Sequence, residues 1–513
     1  MKRYFSAITF SLISCLAFQS CDKGFEEINT NPNSSDVVNP TYTFTKAQLD
    51  GTSNVLTLLQ GTMQYTTSFN DVAGFGAKYI LSQSNQTFGA FTNGYPREIN
   101  EISDVIRSLT GDNSKINQLS AARVWRAFCF SRLTDLYGDI PYSQAAQGVN
   151  SEIYAPLYDA QQNIYQDILK ELEESATAFN VSNNVTFGNA DLIYAGDVGR
   201  WKKFAYSLML RTAMRMTKVD PVAAESWARK AIAGGVITED ADIAKMTGYL
   251  SAGQDINKNP LALWMLNSDY VVSPGSIPGS SNPEGGKYQD AFINALIARK
   301  DPRLAVFSVV YINGVADTSM SVQKGMSASL GSRPADFITY SEPNQATILQ
   351  TNSPYLLLTN TEVNFLLAEA ALRGWYTAAS PTLLYENGIR ASMRQWGLFG
   401  AGGNISELQI STYVNYNKLS AGAPMNTQLK EIYTQFWLGV FPNSTEAYAT
   451  YRRTGYPELV PNNYVGNGTQ GQIPRRMLYP LAEQNLNGAN YRAAVARQGP
   501  DLMTTRVWWD KAQ

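Results

Sequence analysis

Three groups of aromatic and planar polar residues are suited to gripping a hydroxyl-rich ligand. In "NQTFGAFTNGYPRE", Phe88, Phe91 and Tyr95 alternate with Asn85, Asn93 and Arg97. Flat rings cover the C–H faces of a sugar, while amides and guanidinium groups bond its hydroxyls. Ligand pockets typically combine apolar walls with a few such polar groups. Trp264, Tyr270 and Tyr288 surround the run "VVSPGSIPGSSNPEGG", and Arg333, Tyr340 and Tyr355 form a third, sparser group. Packing against a core competes with binding for all of these rings, most of all for Trp264.

Other chemistry is bounded by what the chain lacks. It has 513 residues and no histidine. Ser-His-Asp triads, Cys-His pairs, HExxH zinc sites and histidine proton shuttles are therefore excluded. Paired carboxylates, as in glycosidases, pass that test. "GNGTQGQIP" lacks the lysine and spacing of a phosphate loop. No metal-ligand spacing stands out and no cofactor is expected, although carboxylates and carbonyls could hold an adventitious Ca²⁺. The formal charge of −2 gives no reason to expect nucleic acid. "YGDIPY" and Asp301-Pro302-Arg303 read as turn and cap elements, and Arg452-Arg453 and Arg475-Arg476 as partners in ion pairs.

The candidate rings need a frame, and the chain supplies helices. In "AARVWRAFCFSRLTDLYGDIPY", Trp125, Phe128, Cys129, Leu133 and Leu136 recur at three- and four-residue steps. Gly138 and Pro141 then end the helix. "WKKFAYSLMLRTAMRM" is apolar on more than one side, so it packs between neighbours. A second helix follows it, from near Pro221 to Gly234-Gly235. Asn364–Tyr376 and Ser380–Met393 repeat that two-helix form with small residues at close-packing positions, as in tetratricopeptide pairs. Asn443 with Glu446 resembles a capping box. Between about 240 and 360 the helical period weakens, and "LAVFSVVYING" and "SPYLLLT" read as short strands.

The N-terminus reads as an export signal: Lys2 and Arg3, then an apolar run from Tyr4 to Phe18. Ser20 precedes Cys21, the expected lipidation site. The letters around Cys15 also fit a lipobox, but cleavage there would leave a shorter apolar core. An ordinary secreted protein with an incidental cysteine is the alternative. Cys129 is expected to be a small buried hydrophobe.

Seven segments in order resemble the SusD/RagB family of outer-membrane lipoproteins: "SCDKGFEEINTNPN", "RAFCFSRLTDLYGDIPY", "WKKFAYSLMLRTAMRM", "KDPRLAVF", "FLLAEAALRGWY", "EIYTQFWLGVFPNSTEAYATYRRTGYP" and "IPRRMLYPLAEQNLN". The resemblance implies a mainly α, SusD-like fold of four tetratricopeptide-like helix pairs with a loop-rich, partly β ligand-binding region. The expected organisation is a signal peptide over 1–20, a lipid-anchored tether over 21–40 and one domain over 41–513. That domain would place its scaffold at about 41–240 and 360–455 and the loop and strand region at about 240–360. The resemblance further implies a non-catalytic, cell-surface binder that captures glycans and closes over a SusC-type TonB-dependent barrel. The segment after the first long helix and the region of the Pro/Gly loop would supply ligand contacts. With Arg333, this makes Phe88, Phe91, Asn93, Tyr95, Arg97, Trp264, Tyr270 and Tyr288 the expected ligand residues. Oligopeptide capture in the same lid role, a carboxylate-dependent glycoside hydrolase and a pure interaction scaffold are the rival readings.

Overall fold

Amphipathic segments become helices α1 (Pro40–Ser53), α2 (Asn85–Asn93), α3 (Asn100–Leu109) and α4 (Ile116–Tyr137) in the computed structural model. The structure describes residues 39–53, 57–69, 77–80, 85–267 and 286–511. Cys21 and Tyr270 lie outside the described residues. Pro40–Gln513 is one compact unit.

Helix α4 ends as its sequence predicts. Gly138 takes φ +81°, where a Cβ would be strained, and its N–H bonds the Thr134 carbonyl. Cys129 is buried within α4, and burial pushes its thiol pKa up, leaving it an inert core residue. Helix α5 (Gln161–Ala178) packs on α4 and on α6 (Val198–Arg215), which packs in turn on α7 (Pro221–Gly234). Asp197 and Asp220 cap α6 and α7, and Pro221 occupies the first turn, where its missing N–H costs nothing.

The second half repeats the scheme with α8 (Asn360–Leu372), α9 (Pro381–Arg394), α10 (Met425–Val440) and α11 (Ser444–Thr454). Helices α8 and α9 approach closely at Gly388, where a Cβ would lie 2.8 Å from the Phe365 ring. Asn443 caps α11 through the Glu446 N–H. The box is not reciprocal, because the Glu446 side chain turns inward to Arg215 at 2.5 Å. Two short helices, α12 (Leu481–Leu486) and α13 (Gly488–Gln498), follow.

Buried ion pairs fasten these helices to one another. Arg211 of α6 meets Glu362 of α8 at 2.5 Å, and Arg453 of α11 meets Glu369 of α8 at 2.8 Å. Burial alone would raise the Glu369 carboxyl, but the guanidinium groups of Arg453 and Arg373 hold its pKa at about 2. Asp301 and Arg303 form another fully buried pair at 2.5 Å. Arg452 stacks on Trp509 at 4.6 Å, while Arg475 and Arg476 pair with Asp510 and Asp501. Arg453, Arg475 and Arg476 are thus ion-pair partners, whereas Arg452, also expected in an ion pair, instead stacks on Trp509 and donates to the Arg475 carbonyl at 2.9 Å.

The strands are short and staple distant segments. Antiparallel pairs join β1 (Thr66–Ser68) to β5 (Gly286–Tyr288), β2 (Ile140–Pro141) to β3 (Tyr158–Asp159), and β4 (Ala244–Met246) to β9 (Tyr355–Leu358). A three-stranded sheet runs β7 (Val315–Asp317), β6 (Ser308–Ile312), β8 (Glu342–Pro343). Asn313 and Gly314 both take positive φ at the β6–β7 turn, as a tight hairpin requires. The strand begins later than the apolar run suggests, because Arg303–Phe307 forms a helical turn around the buried Asp301–Arg303 pair. Helices Pro260–Asn267 and Asp290–Ala298 also lie in the region read as loop and strand.

Candidate functional site

The segment "NQTFGAFTNGYPRE", whose glycines, asparagines and proline read as a loop, is helical. Helix α2 runs into a π-helical turn, Gly94–Ile99, which runs into α3. Pro96 has no N–H, and in an α-helix its ring would clash with the carbonyl four residues back. Widening the turn relieves this, and Asn100 N–H reaches back five residues to the Tyr95 carbonyl. Glycine, asparagine and proline mask the helix in sequence, while Phe91, Ile99 and Ile102 pull it into the core. Such π-turns occur frequently at functional sites.

This turn forms one wall of a groove of about 430 Å³. Phe91, Tyr95 and Pro96 face Pro141, Ile153, Tyr154 and Pro156 across it, and Pro480, Glu483, Leu486 and Asn487 close the third side. Behind the wall lies an aromatic cluster: Phe91 packs on Tyr95 at 4.8 Å and on Tyr137 at 5.4 Å, and Tyr158 on Tyr479 at 5.3 Å. Tyr154 stands at the rim, 79% exposed.

Hydrogen bonds hold the facing loop in place. Asp159 Oδ2 accepts from the N–H groups of Tyr142 (3.1 Å) and Ser143 (2.8 Å), and Gln144 Oε1 accepts from Leu157 N–H (2.9 Å). Asn487 and Asn490 donate to the carbonyls of Pro156 (2.8 Å) and Ala155 (3.0 Å). Tyr95 Oη donates across the groove to the Pro141 carbonyl at 2.5 Å. A site held this way loses little entropy on binding. Tyr158 Oη donates to Glu483 Oε2 at 2.7 Å. Burial, reinforced by the Glu483 charge, pushes the pKa values of Tyr95 and Tyr158 up, so both remain protonated donors.

Glu483 supplies the only carboxylate among the described lining residues, so the facing pair of acids that glycoside hydrolysis uses cannot assemble from them. Among the described residues, no group of three or more acids or cysteines could hold a metal ion. What the arrangement offers is ring faces, prolines, amides and carbonyls, a surface for binding hydroxylated rings. A larger cleft of about 660 Å³ lies elsewhere, lined by Asp290, Arg299, Lys430 and Glu458. Its aromatic residue, Trp437, is 2% exposed and offers a ligand almost no ring face.

The expected ligand residues separate accordingly. Phe91 and Tyr95 line the groove. Asn93 and Arg97 are exposed on the same helical stretch without lining it, and Phe88 sits in α2 with its side chain outside the described set. Tyr288 is corrected: it is fully buried in β5, its hydroxyl bonded to the Phe307 carbonyl at 3.1 Å, and no face is open to a ligand. Trp264 is partly buried against the main core. Arg333 is exposed and stacks over Phe337 at 4.9 Å.

The family described as "Starch-binding associating with outer membrane" matches residues 32–480. The chain belongs to this SusD-like family. Among solved structures, a chitin-binding protein is 30% identical, with a TM-score of 0.79 over 92% of this chain and 100% of its own. A Bacteroidetes AC2a SusD-like protein is 25% identical, with a TM-score of 0.81 over 93% and 100%. A SusD homologue from Bacteroides uniformis is also 25% identical, with a TM-score of 0.75 over 93% and 100%. No curated protein matches. The mainly α, SusD-like fold expected from the sequence is thus present. Among the described residues of this SusD-like chain, no helix is long and apolar enough to cross a membrane.

Sequence reasoning missed Tyr154. Its signal was available in "SEIYAPLYDA", a polar, proline-containing stretch with no helical period to bury a ring.

Proposed function

We propose that this SusD-like protein is a cell-surface lipoprotein, anchored through Cys21, that captures oligosaccharides without catalysis. It delivers them to a SusC-type TonB-dependent outer-membrane transporter. The observation that carries the binding step is the groove at the π-turn: exposed Tyr154 and partly exposed Tyr95 on a pinned, proline-walled frame with one carboxylate. A family described as starch-binding and a 30% identical chitin-binding relative support a glycan as the ligand.

The test is calorimetric titration of the mature chain carrying Cys21→Ala against a panel of oligosaccharides. Binding that is lost in Tyr154→Ala supports the reading; silence across the panel overturns it. Copurification of the lipidated protein with a barrel transporter tests the delivery role separately.

Oligopeptide capture is the second reading, favoured by the 660 Å³ cleft. Its Asp290 and Arg299 present both signs of charge, as a zwitterionic ligand would require, beside a Lys430–Glu458 pair at 2.6 Å that such a ligand would have to open. Peptide binding abolished by changes at Lys430 and Glu458 would select it.

A further inference from the structure

The groove continues past its own wall. Beyond segment 144–148 lies a second cavity of about 390 Å³, and Ala145 and Gln147 line both cavities. The two also share one helix, since Asn100 of α3 borders the first, and Ser103 and Arg107 border the second. The dividing ridge is held in place. Arg107 Nη1 donates to the Ala146 carbonyl at 3.0 Å, and Gln147 Nε2 to the Ser143 carbonyl at 2.8 Å. Ala146 itself takes φ +57°, a strained conformation for a residue with a Cβ, of the kind that clusters at ligand sites.

The chemistry changes across the ridge. The first cavity offers rings and prolines; the second offers donors. Arg126 lines the cavity with a side chain 29% exposed and bonds Glu171 through Nη2, while its Nε–H is sealed from solvent. Arg107 uses one Nη for Ala146 and the other for Asp104. A guanidinium carries five N–H groups, so both residues have donors to spare. The acceptor nearby is already engaged: Asp167 Oδ2 accepts from Tyr142 Oη at 2.7 Å. Three guanidinium groups, those of Arg107, Arg126 and Arg123, stand among four carboxylates, those of Asp104, Asp167, Glu171 and Glu174, so the local charge does not favour an anion. Spare donors without excess positive charge suit a neutral carbonyl oxygen.

We propose that the protein binds an oligosaccharide long enough to bridge both cavities, with an acetamido sugar's carbonyl seated against Arg107 and Arg126. This rests on the glycan reading of the first groove.

The experiment titrates acetamido-sugar oligomers, from dimer to hexamer, into the Cys21→Ala chain, with uronic-acid and unsubstituted glucose hexamers as parallel arms. Affinity for the acetamido oligomers should rise at least tenfold with length. Arg126→Lys, which keeps the charge beside Glu171 and leaves the Arg107–Ala146 bond that fixes the groove wall, should remove that rise and leave dimer affinity unchanged. Length-independent affinity, or equal loss for dimer and hexamer, overturns the bridging. A uronate or glucose hexamer that matches the acetamido hexamer in affinity and in sensitivity to the Arg126 change overturns the acetamido assignment. The underlying glycan reading fails on a different result, namely no binding of any oligomer in any of the three arms.

Discussion

The helical interior and the groove use polar groups in opposite ways. Between helices, charge is paired and sealed: Arg211 with Glu362, Arg215 with Glu446, Arg453 with Glu369. In the groove, nearly everything polar is neutral, and much of it is spent fastening backbone carbonyls and N–H groups. Buried ion pairs lose heavily when one partner is removed. An exposed ring such as Tyr154 is free to meet a ligand because the fold does not need it buried. The arginine clusters that look site-like in sequence are therefore structural, and the proposed recognition surface lies where formal charge is sparse.

The strongest way to break this contrast is to cut an interior pair. Arg453→Ala leaves the buried Glu369 with Arg373 as its single remaining cation and should destabilise the protein by ~3 kcal/mol, read from urea unfolding. The molecules that remain folded should bind ligand normally. In the groove the pattern should invert. One face of Tyr154, about a third of a tyrosine's ~200 Å² at ~25 cal/mol/Å², is worth ~1.5 kcal/mol, or about tenfold in affinity. Tyr154→Ala should cost that much binding and leave stability within ~0.5 kcal/mol. Tyr95→Phe should fall between the two regions, since it loses one hydrogen bond to Pro141, ~1 kcal/mol of stability, with a smaller loss of affinity.

The two regions should also differ in pH response. Glu369 is held at about 2, below its unfolded value of ~4.3. Its contribution is complete above ~4.3 and is lost as pH falls toward 2. Tyr95 and Tyr158 are raised instead, so their contribution is complete below the unfolded tyrosine value of ~10 and is lost as pH rises beyond it. Unfolding curves from pH 2 to 11 should show acid loss reduced by Glu369→Gln and alkaline loss reduced by Tyr158→Phe.

Much of the frame was legible because its signals are local. The steps of Trp125, Phe128 and Leu136, the stop at Gly138 and the cap at Asn443 depend on neighbours within a few residues. The site was only half legible because its determinants are distant. Tyr288 sits beside a Pro/Gly run, yet β5 pairs with β1 more than 200 residues earlier, and that pairing buries it. Tyr154 becomes a rim residue through Asn487 and Asn490, which bond the carbonyls just beyond it in the chain. The π-turn was invisible for another reason: its Gly-Tyr-Pro composition reads as a loop until packing of Phe91 and Ile99 outweighs propensity.

The central claim is that this SusD-like chain takes its glycan in the ring- and proline-walled groove, where Glu483 is the one carboxylate among the described lining residues. It is tested most directly by titrating one bound oligosaccharide into three proteins: the Cys21→Ala chain, its Tyr154→Ala variant, and its Lys430→Ala/Glu458→Ala variant. The account predicts about a tenfold loss for Tyr154→Ala and unchanged affinity when the charged cleft is altered. Loss of binding only in the charged-cleft variant would contradict it.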